Sequence, residues 1–296
     1  MPRAVRGSIR LGGGDQSRRR PSWIARYWWR VTFAVATRHF TNLRAVLKVF
    51  DEGRLFAETY GEGPVRVVWL HGWARRGEDF AACARALVDE GVASISFDLP
   101  GFGSSPLPRE VGGATVYAET LLGSLREVAR EPVVLVGHSF GGAVAVTLAA
   151  REPALVRHLI LTGTPRLSHS MTKNSAPLAY RTLRWARRRG LVSEARLERA
   201  RQRYGSFDYR RAHGALREIL VASVNEDYEA SMRALSTPLT MIWGANDRDA
   251  PLDVARRSLE VVSVPVTWRT LEGVGHLTPS EAPHALVDAV REALTR

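Results

Sequence analysis

Short apolar runs, each closed by glycine, proline or aspartate, recur along the chain from about residue 45 onward. Residues 65–70, 93–97, 133–136, 158–161 and 238–244 read as buried strands. A strand covered on both faces needs near-continuous apolar sequence rather than strict alternation. Residues 266–271 alternate instead and read as a further strand. The Ala/Val/Leu-rich stretch 143–150 and the segment 80–88 read as helices between them. Strands separated by helices predict an α/β fold built on a mostly parallel sheet with flanking helices. The strand pattern stops at Thr162-Gly163-Thr164-Pro165 and resumes at Pro238. Between them lie amphipathic helical stretches over 178–189, 193–204, 209–224 and 227–235. The predicted organisation is a leader over 1–44, disordered or weakly structured, a core made of 45–163 and 236–296, and a helical insertion over 164–235.

One junction carries chemistry. Gly137-His138-Ser139-Phe140-Gly141-Gly142 falls between the strand ending near Val136 and the helix beginning near Ala143. A serine on a sharp strand-to-helix turn needs neighbours without side chains so that the backbone can pass closely. The helix N-terminus behind it favours developing negative charge. A serine hydroxyl is a weak nucleophile near neutral pH. It needs an imidazole to take its proton, and the imidazole needs a carboxylate to hold its orientation. Both exist downstream: Asp247 follows the strand that ends at Gly244, and His276 follows the strand that ends at Leu271. Ligands of open parallel sheets bind outside the carboxyl ends of strands, so all three residues are expected on one edge. Asp249, two residues beyond Asp247, competes for the orienting role.

These motifs resemble the α/β-hydrolase superfamily. The resemblance rests on Gly137 to Gly142, on Trp243-Gly244-Ala245-Asn246-Asp247 with Pro251, and on Gly273-Val274-Gly275-His276. It also includes His71-Gly72-Trp73 and Asp98-Leu99-Pro100-Gly101-Phe102-Gly103, and it spans roughly residues 50 to 296. It implies an α/β-hydrolase sheet with an inserted helical cap, and a Ser139, His276, Asp247 triad with Asp247 preferred over Asp249. An oxyanion hole would use the backbone N–H of Phe140, the residue after the nucleophile, and, by the resemblance, that of Trp73. The resemblance assigns His71 to support of the Trp73 loop and His138 to packing beside the nucleophile. Asp98 is expected to organise its own loop. A serine nucleophile argues against relatives that use aspartate, such as dehalogenases and epoxide hydrolases. The implied activity is cleavage of a carboxylic ester through an acyl-enzyme, with no cofactor and no metal. The alternatives are an esterase or thioesterase acting on carrier-bound acyl groups, a carbon–carbon bond hydrolase, a lactonase, or a non-catalytic ligand-binding homologue.

Composition changes the picture in one respect. The chain has 296 residues, a net charge of +12 and a single cysteine, Cys83. One cysteine excludes an internal disulfide framework, and Cys83 is expected to be a buried small hydrophobe. The positive charge is not a nucleic-acid footprint, because it is concentrated in two places. Residues 1–48 hold 11 Lys/Arg against Asp15 alone, residues 164–235 hold 15 against 7 acids, and the remainder is net negative. In the insertion the excess comes from Arg184, Arg187, Arg188, Arg189, Arg196, Arg199, Arg201 and Arg203. They read either as a solvated helix face or as a docking surface for an acidic partner such as an acyl carrier protein. In the leader, the aromatic and basic segment 23–31 is too interrupted by arginine to span a bilayer, and it lacks a secretory pattern. It reads as an interfacial helix near residues 20–40 or, preferably, as an upstream extension from a mis-assigned start. The expected location is the cytoplasm, and the expected partner is a small-molecule ester.

Overall fold

A computed structural model describes residues 45–165, 167, 178–204 and 207–295. The expectations for the leader fall on residues outside this set. The frame is an eight-stranded sheet. Its strands are β1 (Val46–Phe50), β2 (Leu55–Tyr60), β3 (Val65–Leu70), β4 (Ala93–Asp98), β5 (Val133–His138), β6 (Val156–Thr162), β7 (Leu239–Gly244) and β8 (Val266–Leu271). Their spatial order is β1-β2-β4-β3-β5-β6-β7-β8. The β1–β2 and β2–β4 pairs are antiparallel, and every other pair is parallel.

The order explains where a site can form. From β3 the chain moves outward to β4, then returns across β3 to β5 and continues through β6, β7 and β8 in the opposite direction. The reversal lies between β3 and β5. Loops leaving the carboxyl ends of these two neighbours diverge to opposite faces and leave a crevice there.

Alternate residues of the central strands feed two cores. Val68 and Leu70 of β3 and Leu135 of β5 pack with Tyr117, Leu121 and Leu125 of α2 (Ala114–Val128) and with α3 (Phe140–Arg151). Val67, Trp69, Val134 and Val136 face the other way. There they meet α1 (Ala81–Val88) and Leu286 and Val290 of a C-terminal helix over Pro283–Thr295. This two-sided burial is why the strands read as continuous apolar runs. Cys83 is fully buried in the second core, and burial pushes its thiol up to about 12. It is the small hydrophobe that its sequence context implied.

Between β6 and β7 the described chain is helical: α4 (Leu178–Arg188), α5 (Glu194–Tyr204), α6 (Phe207–Arg211), α7 (Gly214–Asn225) and α8 (Glu229–Arg233). One expectation is corrected. The stretch 209–224 is two helices, not one. His213 is extended and Gly214 takes φ +54°, which breaks the helix between them. The apolar residues Tyr209, Ala212, Leu216, Ile219 and Leu220 keep a helical spacing across the break, and a single glycine is too weak a signal to interrupt it. Glu226, just after α7, ties this segment to the core. Its Oε1 accepts the Thr115 backbone N–H in the first turn of α2 at 3.3 Å. The Tyr228 hydroxyl lies 3.1 Å from both Glu226 Oε2 and Ser223 O. No helix of the described residues is long and apolar enough to cross a membrane.

Candidate active site

Ser139 stands between β5 and α3 with φ 52° and ψ −120°. A non-glycine residue there is strained, at a typical cost of about 1–3 kcal/mol. The surroundings enforce it. The Ser139 N–H donates to Thr162 O of β6 at 2.9 Å, and its carbonyl accepts the Gly142 N–H at 2.9 Å. A Cβ on Gly141 would run into the backbone carbonyls of Leu70 and His71. A Cβ on Gly137 would meet Gly142 Cα. The glycines let α3 start directly against the end of β3, and this turns the Ser139 side chain outward.

The loops after β7 and β8 meet beside it. Asn246 N–H donates to Val274 O at 2.9 Å, and Ala245 N–H to Leu271 O at 2.9 Å. Gly244 has no room for a side chain, because Val274 and Gly275 carbonyls occupy that space. This contact brings Asp247 and His276 together. His276 Nδ1 lies 2.9 Å from Asp247 Oδ2 and 3.1 Å from Oδ1, and His276 Nε2 lies 3.0 Å from Ser139 Oγ. The Asp247 side chain is 1% exposed. Its Oδ1 also accepts backbone N–H groups from Asp249 at 2.9 Å and Ala250 at 2.8 Å. Trp243 Nε1–H closes the same loop onto Ala250 O at 2.7 Å. Asp249 is exposed and makes no such bond to His276, so the competitor lies aside.

Electrostatics at His276 pull in two directions. Burial opposes the imidazolium. The hydrogen bond and charge of Asp247, helped by Asp249 and Asp208, outweigh it and hold the pKa above the usual histidine range. The other two histidines stay neutral. Burial lowers His71 to about 4 and His138 to about 3. His71 Nδ1–H donates to Gly72 O at 2.8 Å, while Nε2 accepts the Leu99 N–H at 2.9 Å. This ring therefore braces the Trp73 loop against the turn after β4. His138 Nε2–H donates to His276 O at 2.8 Å and pins the loop that carries His276. Asp98 accepts the N–H of Gly77 at 2.7 Å and of Ser104 at 2.8 Å, and so organises two loops rather than one.

A cavity of about 390 Å³ opens over Ser139. Trp73, Phe140, Leu220, Val224 and Tyr228 supply apolar walls. The Trp73 ring packs edge-on against Phe102 and Phe140, with centroids 5.0 and 5.6 Å apart. Among the described residues, no protein acceptor takes the backbone N–H of Trp73 or of Phe140. Both residues border the cavity beside Ser139.

Three contributors were not singled out from sequence. Glu281 accepts the Gly275 N–H at 2.6 Å and the Leu277 N–H at 3.1 Å, bracing the His276 loop. Asp208 of α6 and Arg75 line the cavity. Nothing local marks Asp208 among the acids of the insertion. Glu281 follows His276 by five residues, and that spacing was a usable signal.

Comparison with known proteins places the fold in a family. A family model described as the alpha/beta hydrolase family matches residues 67–289. The pimeloyl-[acyl-carrier protein] methyl ester esterase of Chromobacterium violaceum is 33% identical over 68% of this chain and 83% of its own length. The protein of the same name from Nitrosospira multiformis is 38% identical, but over 37% of this chain and 42% of its own length, so that match spans less than half of it. Among solved structures, an esterase from Exiguobacterium antarcticum superposes with a TM-score of 0.65 at 18% identity, covering 86% of this chain and 100% of that one, which bears on fold alone. With its sheet order, its strained serine turn and a family match over most of its length, the chain belongs to the α/β-hydrolase family.

Proposed function

We propose that this hydrolase cleaves carboxylic esters with Ser139 as nucleophile, His276 as proton carrier and Asp247 as orienting carboxylate. The observation that carries the reading is the continuous path from Ser139 Oγ through both ring nitrogens of His276 to a buried, doubly anchored Asp247. In the first half-reaction Ser139 Oγ forms a bond to the ester carbonyl, and its proton moves to His276 Nε2. The carbonyl oxygen becomes an oxyanion, and the free N–H groups of Trp73 and Phe140 donate to it. Collapse breaks the carbon–oxygen bond to the alcohol, which leaves with the proton from Nε2. Water then adds to the acyl-serine with the same base and releases the acid and free Ser139. Asp247 holds the ring in place and stabilises the imidazolium. On this reading residues 164–235 act as a cap over a core made of 45–163 and 236–296, and the cap side chains shape the acyl site.

A second reading has its own support. The helices α4 and α5 and the turn between them expose Arg188, Arg189, Arg196, Arg199 and Arg203, and the Chromobacterium relative is named for an ester on an acyl carrier protein. An acidic carrier presenting its ester to the cavity would be steered by that face.

Ser139→Ala is expected to lower kcat for p-nitrophenyl butyrate by about 10³-fold or more while leaving the circular dichroism spectrum unchanged. Retention of turnover would remove Ser139 from the mechanism. His276 works only when neutral, so kcat/KM should fall as pH drops through its pKa. Because that pKa is raised, the acid limb should lie above about 6.5, the ordinary histidine value. A limb well below that value contradicts the Asp247 pairing. Replacing Arg188, Arg189, Arg196 and Arg199 by Glu should slow carrier-bound esters by about ten-fold or more relative to free ones at low salt. An equal effect on both would dismiss the carrier reading.

A further inference from the structure

The cavity over Ser139 has an electrostatic sense opposite to that of helices α4 and α5 in the inserted segment. The outward faces of α4 and α5 expose arginines. Turned to the cavity from the same segment is Asp208 of α6, and Asp249 reaches the cavity from the loop after β7. The two carboxylates are close enough to act on one another, and both act on His276. Burial first, and Asp249 second, hold the Asp208 carboxyl above the usual range, with His276 and Arg211 opposing. Among the described residues Arg75 is the one formal cation lining the cavity. Its guanidinium is already engaged in a two-point pair with Asp79, with Nη2 3.0 Å from Oδ1. Asp247 is not part of the cavity wall; it lies behind His276, held by that ring and two backbone N–H groups.

Among the described residues, a substrate seated against Ser139 therefore meets two carboxylates whose charge no unpaired cation of the wall cancels. The remaining surface is aromatic and aliphatic, with Trp73, Phe140 and Tyr228 presenting rings. Ring faces tolerate neutral groups and attract cations. An added negative charge close to the scissile bond would have to lie near both acids, Asp208 half-buried and Asp249 exposed, so Coulomb repulsion opposes it and salt can screen part of that repulsion.

We propose that Asp208 and Asp249 are specificity-determining residues that make the pocket reject esters carrying a negative charge near the scissile bond and accept neutral or cationic ones. This rests on the reading of the cavity as an ester site, and it narrows the substrate class. It also separates the two halves of a carrier-bound substrate: an acidic carrier belongs outside on the arginine face, while the ester end that enters must be uncharged.

The test compares three p-nitrophenyl esters of similar size: the butyrate, the monosuccinate and the trimethylammonio-butyrate. Each kcat/KM is divided by that ester's uncatalysed hydroxide rate. The expected result is that wild-type protein at low salt prefers the neutral and cationic esters over the anionic one by on the order of ten-fold for each carboxylate. That preference should shrink as ionic strength rises. Asp208→Asn, alone and with Asp249→Asn, should raise the anionic-to-neutral ratio stepwise towards one. Should the variants fail to fold, the wild-type ratio and its salt dependence still decide. Equal cleavage of all three esters by wild-type protein, or a ratio indifferent to salt and to both substitutions, overturns the proposal while leaving the ester reading intact. Failure to cleave any of the three overturns both.

Discussion

The backbone at Ser139 cannot relax to an ordinary conformation without disturbing two neighbouring strands and a helix. Its N–H is held by β6 through Thr162, and its carbonyl is held by the first turn of α3. The helix itself presses against the carbonyls that end β3. Relaxing φ from 52° would pull α3 away from the sheet and expose part of a helix with ten buried residues. The strain, about 1–3 kcal/mol, is small beside the burial of even a few apolar side chains at about 1.5–3 kcal/mol each. The turn is therefore stable because packing outweighs it. The same closeness makes Gly72 pass beside the ring of His138 and Cβ of Ser139, so a Cβ there would lie 2.9 Å from His138 Nδ1. The Trp73 loop, the serine turn and the His276 loop are thus one packed unit, with His71, His138 and Glu281 as its polar braces.

Sheet topology supplies the rest. The reversal between β3 and β5 puts the Trp73 loop and Ser139 on adjacent strand ends. The β7 and β8 ends stand farther along the same edge, and their loops must reach back to meet Ser139. They do so through Asn246–Val274 and Ala245–Leu271 bonds, which orient Asp247 and His276 towards one another. Charge follows a similar division. Several arginines of the inserted helices, Arg188, Arg189, Arg196 and Arg199 among them, are exposed, while acids near His276 bias the imidazole towards its protonated form. On the proposed mechanism, that bias suits a group that holds a proton between bond formation and alcohol departure.

Much of this was legible in the residues, and the reasons are specific. The central strands are buried on both faces, so 133–136 and 238–244 stood out as apolar runs. Ser139 and Asp247 each follow such a run, His276 follows the alternating strand over 266–271, and strand ends need no long-range knowledge. The β1–β2 hairpin was not resolved into strands, because β1 is an exposed edge: Val46, Leu47 and Val49 face solvent and give no burial pattern. The inserted helices were visible from their amphipathic period, yet their break at His213-Gly214 was not. Which of their acids faces the cavity depends on how α6 is turned, and no local rule sets that. The role of His138 rests on a bond to His276 O across 138 positions, and sequence spacing carries no trace of it.

The central claim is that Ser139 becomes covalently acylated. Rapid mixing with excess p-nitrophenyl butyrate, followed by acid quench and peptide mass mapping, tests it most directly. The account predicts a burst of p-nitrophenol approaching one equivalent per chain and a butyryl mass increment on the peptide containing Ser139. Turnover with no increment on that peptide under conditions that trap acyl-enzymes, or an increment on another residue, would contradict it.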